Sequence, residues 1–295
     1  MIPDDELSSL LRRAVLEDLG PMQVDATSEF MIAEDAQGEA AFVAREHGVP
    51  AGLAVLPAVA MAFGACDVEL LAVDGGTVEP GDELAVIRGP LRDLLRTERT
   101  ALNLLSHLSG IATLTRAFVE AVAGTSAVIC ETRKTLPGLR HLQKYAAACG
   151  GATPHRVGLY DAMLIKDNHL GDLDAAADPD TFHEAVVDAA ERARMMIDGL
   201  KFVEVEVDTL QQMRALLSAP EATLDYLLLD NMTPEHLREA VGLRDAHRPK
   251  WQLEASGGIT LETVREVATT GVDRISVGAL THSVRALDIG LDLRA

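Results

Sequence analysis

The amino-acid sequence predicts an α/β protein in which an N-terminal domain precedes an incomplete α/β barrel. Two observations set the barrel apart. From Ala127 onward, short apolar runs alternate with helix-like segments across short loops, the pattern of a parallel sheet. Six runs read as strands, and they end in polar or glycine-rich stretches: Val128–Lys134, Met163–Asn168, Phe202–Val207, Tyr226–Asn231, Leu253–Gly258 and Arg274–Ala279. A seventh or eighth strand is not visible. In a parallel barrel all strand C-termini open onto one face, which carries the chemistry. One rim would then hold Arg133, Lys134, Lys166, Glu206, Asp230 and a glycine-rich phosphate cradle, an inventory suited to a phosphorylated, multiply anionic substrate.

The part before Ala127 lacks this rhythm. An acidic helix, Asp4 to Leu19, leads into Gly20-Pro21. The apolar run Ala51–Cys66 is interrupted by Pro57 and Gly64 and is shorter than the ~18–20 residues a spanning helix needs, so it reads as a buried helix. Strands are expected at Glu39–Arg45, Val68–Val73 and Glu83–Arg88. Asp74–Ala85 resembles the turn of biotinyl- and lipoyl-carrier modules, but those need a target lysine and no lysine precedes Lys134, so Gly and Pro set a turn there and nothing more. A long amphipathic helix, Thr97 to Val122, follows, with a break expected near Ser109-Gly110. Between the barrel strands, helices are expected at Leu139–Ala148, Asp180–Ile197, Leu210–Leu217, Pro234–Gly242 and Leu261–Thr269, and Ala175–Asp180 is the most loop-like insertion.

Bulk properties narrow the function. The 295 residues suffice for two modest domains. A formal net charge of −20 argues against non-specific nucleic-acid binding and against an anionic membrane surface. Three scattered cysteines, with no CxxC and no basic-then-apolar start, point to a reducing, cytoplasmic setting. Against the acidic background, residues 131–169 hold six bases and three acids, and three of the chain's five lysines. Arg140 and Lys144 fit a solvated helix face; Arg133, Lys134 and Lys166 sit at strand ends and fit a binding role.

In the strand Phe202–Val207, side chains alternate between faces. Val203, Val205 and Val207 should pack under helices while Glu204, Glu206 and Asp208 face inward. Glu206 with Asp230 at the next strand end could hold Mg²⁺, which prefers oxygen ligands shared with substrate phosphates. The competing reading is a structural ion pair with a lysine or arginine, and Glu204 reads as an internal salt-bridge partner. Glu254–Thr260 and Ser276–His282 are turns whose backbone N–H groups and following helix starts suit phosphate.

Those blocks, together with Thr132-Arg-Lys-Thr135, His155-Arg-Val-Gly-Leu159, Leu164–His169, Glu204–Val207, Leu229–Asn231, Glu17–Gly20, Ala44–Glu46 and Glu98–Asn103, resemble the quinolinate phosphoribosyltransferase family along nearly the whole chain. The resemblance implies an N-terminal α/β sandwich (1–112), an incomplete seven-stranded α/β barrel (113–282) and a tail (283–295) expected to pack back on the N-terminal domain. It implies phosphoribosyl transfer from phosphoribosyl pyrophosphate to quinolinate with decarboxylation, Mg²⁺ as cofactor, and a homodimer with a shared active site. By position, Thr132, Arg133, His155 and Arg156 would bind the quinolinate carboxylates, and Arg99 would reach in from the partner subunit. Lys134 and Lys166 would sit among the anionic groups of both substrates. Glu206 and Asp230 would bind the ribose hydroxyls and the metal; Ser256, Gly257, Gly258, Val277, Gly278 and Ala279 would hold a phosphate, with His282 nearby.

Two stretches depart from the family pattern, Ala152-Thr-Pro154 beside the carboxylate clamp and Gly20–Thr27 after the first helix; the first removes no charged residue. The alternatives are the molybdenum-transport-associated paralogue of the same fold, and a non-catalytic sensor of a phosphorylated metabolite. A zinc hydrolase is disfavoured because His141, His155 and His169 form no HExxH.

Overall fold

The structure, a computed structural model, describes residues 2–171, 178–220 and 222–294. The first three residues of the expected insertion Ala175–Asp180 lie outside the described residues; Pro179 and Asp180 begin a helix. The chain divides into two compact units: Met1–Arg116 with Lys134–Ala152 and Ala279–Ala295, and Ala117–Arg133 with Thr153–Gly278.

The first unit begins with α1 (Asp4–Leu19), whose first turn carries Asp4, Asp5 and Glu6 where the positive helix end favours acids. Gly20 ends it at φ 65°, a left-handed conformation suited to glycine. The short α2 (Ala26–Met31) was not expected; Asp25 starts it by accepting from the N–H groups of Thr27 and Ser28 at 2.9 and 3.1 Å. The buried helix of residues 51–66 is realised as a 3₁₀ turn, Leu53–Val55, followed by α3 (Leu56–Phe63). Strands β1 (Gln37–Ala44), β2 (Asp67–Leu70) and β3 (Glu83–Pro90) join β10 (Ile289–Arg294) in an antiparallel sheet of order β10-β1-β3-β2. Register runs from Glu39 opposite Arg294 to Ala44 opposite Ile289. Ala40, Phe42, Leu84 and Ile87 from this sheet share a core with Leu56, Val59, Phe63, Leu94 and Leu105.

Helix α4 (Leu91–Ala121) starts six residues before the expected Thr97 and runs unbroken through Ser109-Gly110. Both residues have other uses. Ser109 is buried and its Oγ accepts from the Ala51 N–H at 3.0 Å. A Cβ on Gly110 would stand 2.2 Å from the Arg285 carbonyl oxygen, so the glycine admits the C-terminal backbone rather than breaking the helix. Helix α5 (Arg140–Cys149) packs Leu142, Ala146 and Ala147 against Leu108, Ile111 and Ala112 of α4. Lys144 is buried, which corrects the expectation that it shares a solvated face with Arg140.

The second unit is built on β4 (Val128–Cys130), β5 (Met163–Ile165), β6 (Val203–Val207), β7 (Tyr226–Asp230), β8 (Gln252–Ser256) and β9 (Arg274–Ser276). All are parallel, in the order β4-β9-β8-β7-β6-β5. Where seven strands were implied, the described residues form six, plus one parallel bridge from Cys130 to Thr153. The outward side chains Val203, Val205, Val207, Leu227, Leu229 and Leu253 are all fully buried, each worth about 1.5–3 kcal/mol against exposure. Around them lie α6 (Asp167–Leu170), α7 (Pro179–Met196), α8 (Leu210–Leu216), α9 (Pro234–His247) and α10 (Val264–Ala268). Pro179 and Pro234 stand in the first turns of α7 and α9, and Asp178 and Thr233 cap them. The four-residue α11 (Ala279–His282) returns the chain to the first unit.

The two helical glycines give a paired test. Gly110→Ala must displace backbone and should lower stability by about 1–3 kcal/mol in urea unfolding. Gly242→Ala meets nothing within 4 Å and should raise it by about 0.5–1 kcal/mol.

Candidate active site

Because the six strands are parallel, their C-terminal ends share one rim. Thr132 and Arg133 follow β4, Lys166 follows β5, Glu206 and Asp230 lie at the ends of β6 and β7, Ser256 ends β8, and Val277 and Gly278 follow β9. Lys166 and Glu206 form a close ion pair. The Asp230 carboxylate accepts from Asn231 Nδ2 at 2.6 Å, and Asn231 itself is held at φ 53° with its N–H on the Ser256 carbonyl at 2.9 Å. Asp208 belongs to the same electrostatic neighbourhood: burial first, then the charges of Asp230 and Asp167, raise its pKa, against the opposing pull of Lys166. The sequence had marked Asp208 only as the third acid of its strand. Lys166, Asp167, Glu206, Asp208 and Asp230 thus form a mixed-charge patch with an excess of carboxylate.

The cationic side of the rim is different in kind. Arg156 is 6 % exposed, and its Nη1 donates to the Ala162 carbonyl at 3.2 Å. Its pKa is lowered, chiefly by burial and next by the Arg133 charge. Arg133 carries a buried Nε with no hydrogen-bond partner. Two guanidiniums that oppose one another in a desolvated place are completed by a planar anion able to pair with both.

Asp161, to which the sequence reading gave no role, organises the loop that holds Arg156. Its carboxylate accepts from the N–H groups of Val157 and Gly158 at 2.9 Å each and from Lys201 Nζ at 2.9 Å. Burial would raise its pKa; those three bonds outweigh burial and bring it down to about 2. The available signal was an acid closing a glycine-containing loop, a common acceptor for loop N–H groups.

His155 is an expected site residue whose ring has partners inside the barrel. Its ring does not stand free at the rim. Its Nδ1 accepts from the Arg156 N–H at 2.8 Å, and its Nε2 lies 3.2 Å from both Glu204 Oε2 and Glu254 Oε1. Its own N–H donates to buried Glu131 at 2.8 Å. Both ring nitrogens thus have partners, and one of them is the backbone N–H of Arg156. Glu204 and Glu254 are both 0 % exposed. Arg274 Nε donates to Glu254 at 2.7 Å, and Ser276 Oγ donates to the same carboxylate. Arg274 also lies over the Tyr226 ring at 4.8 Å.

His155, Glu204 and Glu254 are the one group of three clustered ligating side chains among the described residues. Charge balance explains it without an ion. Arg274 offsets one carboxylate, and a retained proton offsets the other. Burial opposes charge on His155, but the Glu204 and Glu254 carboxylates overcome it and lift its pKa to about 9. The Glu204 pKa is also raised, by burial and by the Glu254 charge. The retained proton is shared by the His155–Glu204–Glu254 group, which titrates as a unit.

The glycine turns lie at the ends of adjacent strands β8 and β9. Gly257 is required: at φ 97°, a Cβ would meet Asn231 Oδ1 at 2.2 Å. Gly258 follows at φ 60° with open space around it, the condition for backbone to approach a ligand. The remaining expected residues belong to the other unit. Arg99 is exposed and lines a groove of about 520 Å³ with Asn103, Ser106 and Arg285. Lys134 is exposed, and its carbonyl accepts from Thr281 Oγ1 at 2.8 Å. Ala279 opens α11, and exposed His282 closes it with Nδ1 2.7 Å from Ser283 Oγ.

A parallel α/β sheet with glycine turns suited to phosphate, rim carboxylates and a facing pair of arginines defines a barrel enzyme for phosphorylated, carboxylated substrates. Comparison with known proteins makes this specific. The profile for "Quinolinate phosphoribosyl transferase, N-terminal domain" matches residues 25–109, and that for the C-terminal domain matches residues 111–292. A "Nicotinate-nucleotide pyrophosphorylase [carboxylating]" of Mycobacterium leprae is 45 % identical over 292 residues, covering 98 % of each chain. A probable enzyme of the same name from Bacillus subtilis is 39 % identical, covering 98 % of this chain and 93 % of its own. The solved nicotinate-nucleotide pyrophosphorylase of Francisella tularensis superposes with a TM-score of 0.87 at 33 % identity, covering 100 % of this chain and 98 % of that one. The chain belongs to the quinolinate phosphoribosyltransferase family.

The buried cluster sets a pH dependence. A group whose pKa is raised on folding, here His155 from 6.5 to about 9, adds stability that is complete below 6.5 and is lost as pH rises through about 9. Stability measured by urea unfolding should therefore fall over that range. Glu204→Gln removes the need for the extra proton, so its alkaline decline should flatten and it should outlast the parent at pH 9; an unchanged decline would refute the shared-proton arrangement.

Proposed function

We propose that this chain transfers the phosphoribosyl group of phosphoribosyl pyrophosphate to quinolinate and releases CO₂, giving nicotinate mononucleotide and pyrophosphate in de novo NAD biosynthesis. That is a nicotinate-nucleotide diphosphorylase (carboxylating) activity, the one for which the relatives above are named. The observation that carries the reading is the pairing of buried Arg156 with Arg133 on the rim that also bears Glu206, Asp230 and the Gly257-Gly258 turn.

The roles follow from charge. Arg133 and Arg156 fix the two carboxylates of the acceptor, with Thr132 beside them, and orient the ring nitrogen toward the ribose. His155 and Asp161 keep Arg156 in place. The turn residues Ser256, Gly257 and Gly258 take a phosphate, with the backbone N–H groups of Gly257 and Gly258 as donors; Val277, whose own N–H donates to the Cys130 carbonyl at 3.0 Å, and Gly278 line the same place, and Ala279 and His282 are proposed for the same end of the donor. Lys166 and Lys134 supply cations for the anionic groups of both substrates. As the bond from ribose C1 to pyrophosphate breaks, positive charge develops at C1, and the carboxylates of Glu206 and Asp230 favour it by electrostatic preorganisation. The ring nitrogen forms the new bond to C1 and becomes positive. The neighbouring carbon can then keep the electron pair of its bond to CO₂ and afterwards take a proton.

The rim's oxygen donors also fit a hard divalent cation. Burial and then the neighbouring charges of Asp230 and Asp167 raise the Asp208 pKa, and an excess of carboxylate of this kind suits Mg²⁺. Glu206 and Asp230 would hold it, and it would supply charge neutralisation for the pyrophosphate. A homodimer with a shared active site, in which Arg99 serves the partner subunit, is proposed on the same resemblance. A cytoplasmic setting is proposed as well; no helix among the described residues is long and apolar enough to cross a membrane.

Purified protein should consume quinolinate only with phosphoribosyl pyrophosphate and Mg²⁺ present, with CO₂ and mononucleotide formed in equal amounts. Equal turnover of nicotinate, or none of quinolinate, would sink the assignment. Arg133→Ala and Arg156→Ala should each weaken quinolinate binding by roughly 2–5 kcal/mol, measured by calorimetry, while donor affinity changes far less. Mixing inactive Arg99→Ala with inactive Lys134→Ala protein should restore part of the activity once mass spectrometry shows subunit exchange; exchanged but inactive heterodimers would rule out sharing of Arg99.

A further inference from the structure

Two side chains outside the expected site tie together the segments that carry Lys134 and the turn Ala279–His282. Gln143, on α5, is 0 % exposed, and Thr281, on α11, is 1 % exposed. The Gln143 Oε1 accepts from the Leu136 N–H at 2.8 Å, which pins the loop that follows Lys134. Its Nε2 donates to the Thr281 carbonyl at 3.1 Å and to His107 Nε2, on α4, at 2.8 Å. Thr281 Oγ1 then donates to the Lys134 carbonyl at 2.8 Å. The amide orientation is determined by its partners: Leu136 N–H can only donate and the Thr281 carbonyl can only accept. Burial lowers the His107 pKa, so its Nε2 stays available as an acceptor.

We infer that Gln143 and Thr281 are positioning residues for Lys134 and for the phosphate-side turn that ends at His282, an inference that rests on the phosphoribosyl-transfer reading above. Lys134 is exposed at its side chain, and the position of its ammonium depends first on where its backbone is held. The Thr281 hydroxyl holds the Lys134 carbonyl, and Gln143 holds the next loop N–H and the Thr281 carbonyl together. The lysine and α11 are thereby locked to one another through buried hydrogen bonds, each of which leaves an unpaired polar group if its partner is removed. Both ends of this lock serve the donor's anionic groups in the proposed mechanism, whereas Arg133 and Arg156 serve the acceptor.

The test uses Thr281→Val, which removes the hydroxyl and keeps the shape, with Thr281→Ser as the conservative rescue and Gln143→Leu as an independent probe. Unfolding midpoints establish that each protein is folded. Kinetics are recorded with phosphoribosyl pyrophosphate varied and then with quinolinate varied, and quinolinate binding is measured alone by calorimetry. Thr281→Val should lower kcat/KM for phosphoribosyl pyrophosphate by about tenfold to a hundredfold, the scale of a misplaced catalytic group. Thr281→Ser should stay within about twofold of the parent, as should quinolinate affinity in all three variants. Combining Thr281→Val with Gln143→Leu should cost little more than the worse single change, since both break one network. A folded Thr281→Val protein with unaltered donor kinetics overturns the inference. So does a loss of stability without a kinetic change, or an equal loss of quinolinate binding. If the parent protein itself fails to turn over quinolinate, the functional reading falls instead.

Discussion

Two carboxylates sealed inside the barrel, Glu204 and Glu254, impose the constraint around which the second unit is arranged. A buried pair of like charges is tolerable only if counter-charge and hydrogen bonds surround it. Arg274 and Ser276 satisfy Glu254 from the adjacent strand, two of the donors that hold it ionised. His155 is drawn in from the loop that follows the Cys130–Thr153 bridge, because its Nε2 can sit between both acids. Once His155 is fixed, its Nδ1 captures the Arg156 N–H, and the arginine is presented at the rim with little freedom. An interior charge problem thereby determines where the guanidinium proposed to bind the acceptor stands.

The rim is organised by a second principle, in which backbone shape matters as much as charge. Asp161 spends its carboxylate on two loop N–H groups, and Gly257 accepts a positive φ so that Asn231 can lie against it. Asn231 in turn contacts Asp230. These contacts hold anionic and cationic groups in fixed places before any substrate arrives, which is what electrostatic catalysis requires. The Lys166–Glu206 ion pair is the structural partnership considered from sequence; under the proposed mechanism the paired lysine and glutamate each turn to a bound anion or cation.

Much of the fold was legible because periodicity survives folding. The α1 boundaries, the positions of β6, β7 and β8, and the starts of α8 and α9 follow from alternation and from capping residues such as Thr209 and Thr233. The errors share one cause. Gly110 was read as a helix breaker, but its lack of a side chain answers to a carbonyl distant in sequence. Lys144 was placed on a solvated face by its polarity, yet it is buried, as is its neighbour Gln143, which bonds three partners at once. Helices α2 and α11 are too short to announce themselves by pattern.

By itself, the sequence determined the alternation of strand and helix, the faces that must be buried, and the residue types available at each strand end, because these depend only on local stereochemistry and hydropathy. It also carried the family resemblance, since motifs are local strings. Tertiary structure alone decided which polar groups meet. His155 belongs with two buried acids, Asp161 with Lys201 across 40 residues, and Thr281 with Lys134 across 147. Such pairings arise from the cost of leaving buried charge and hydrogen-bonding groups unmatched, a quantity that exists only once the chain has excluded water from around them.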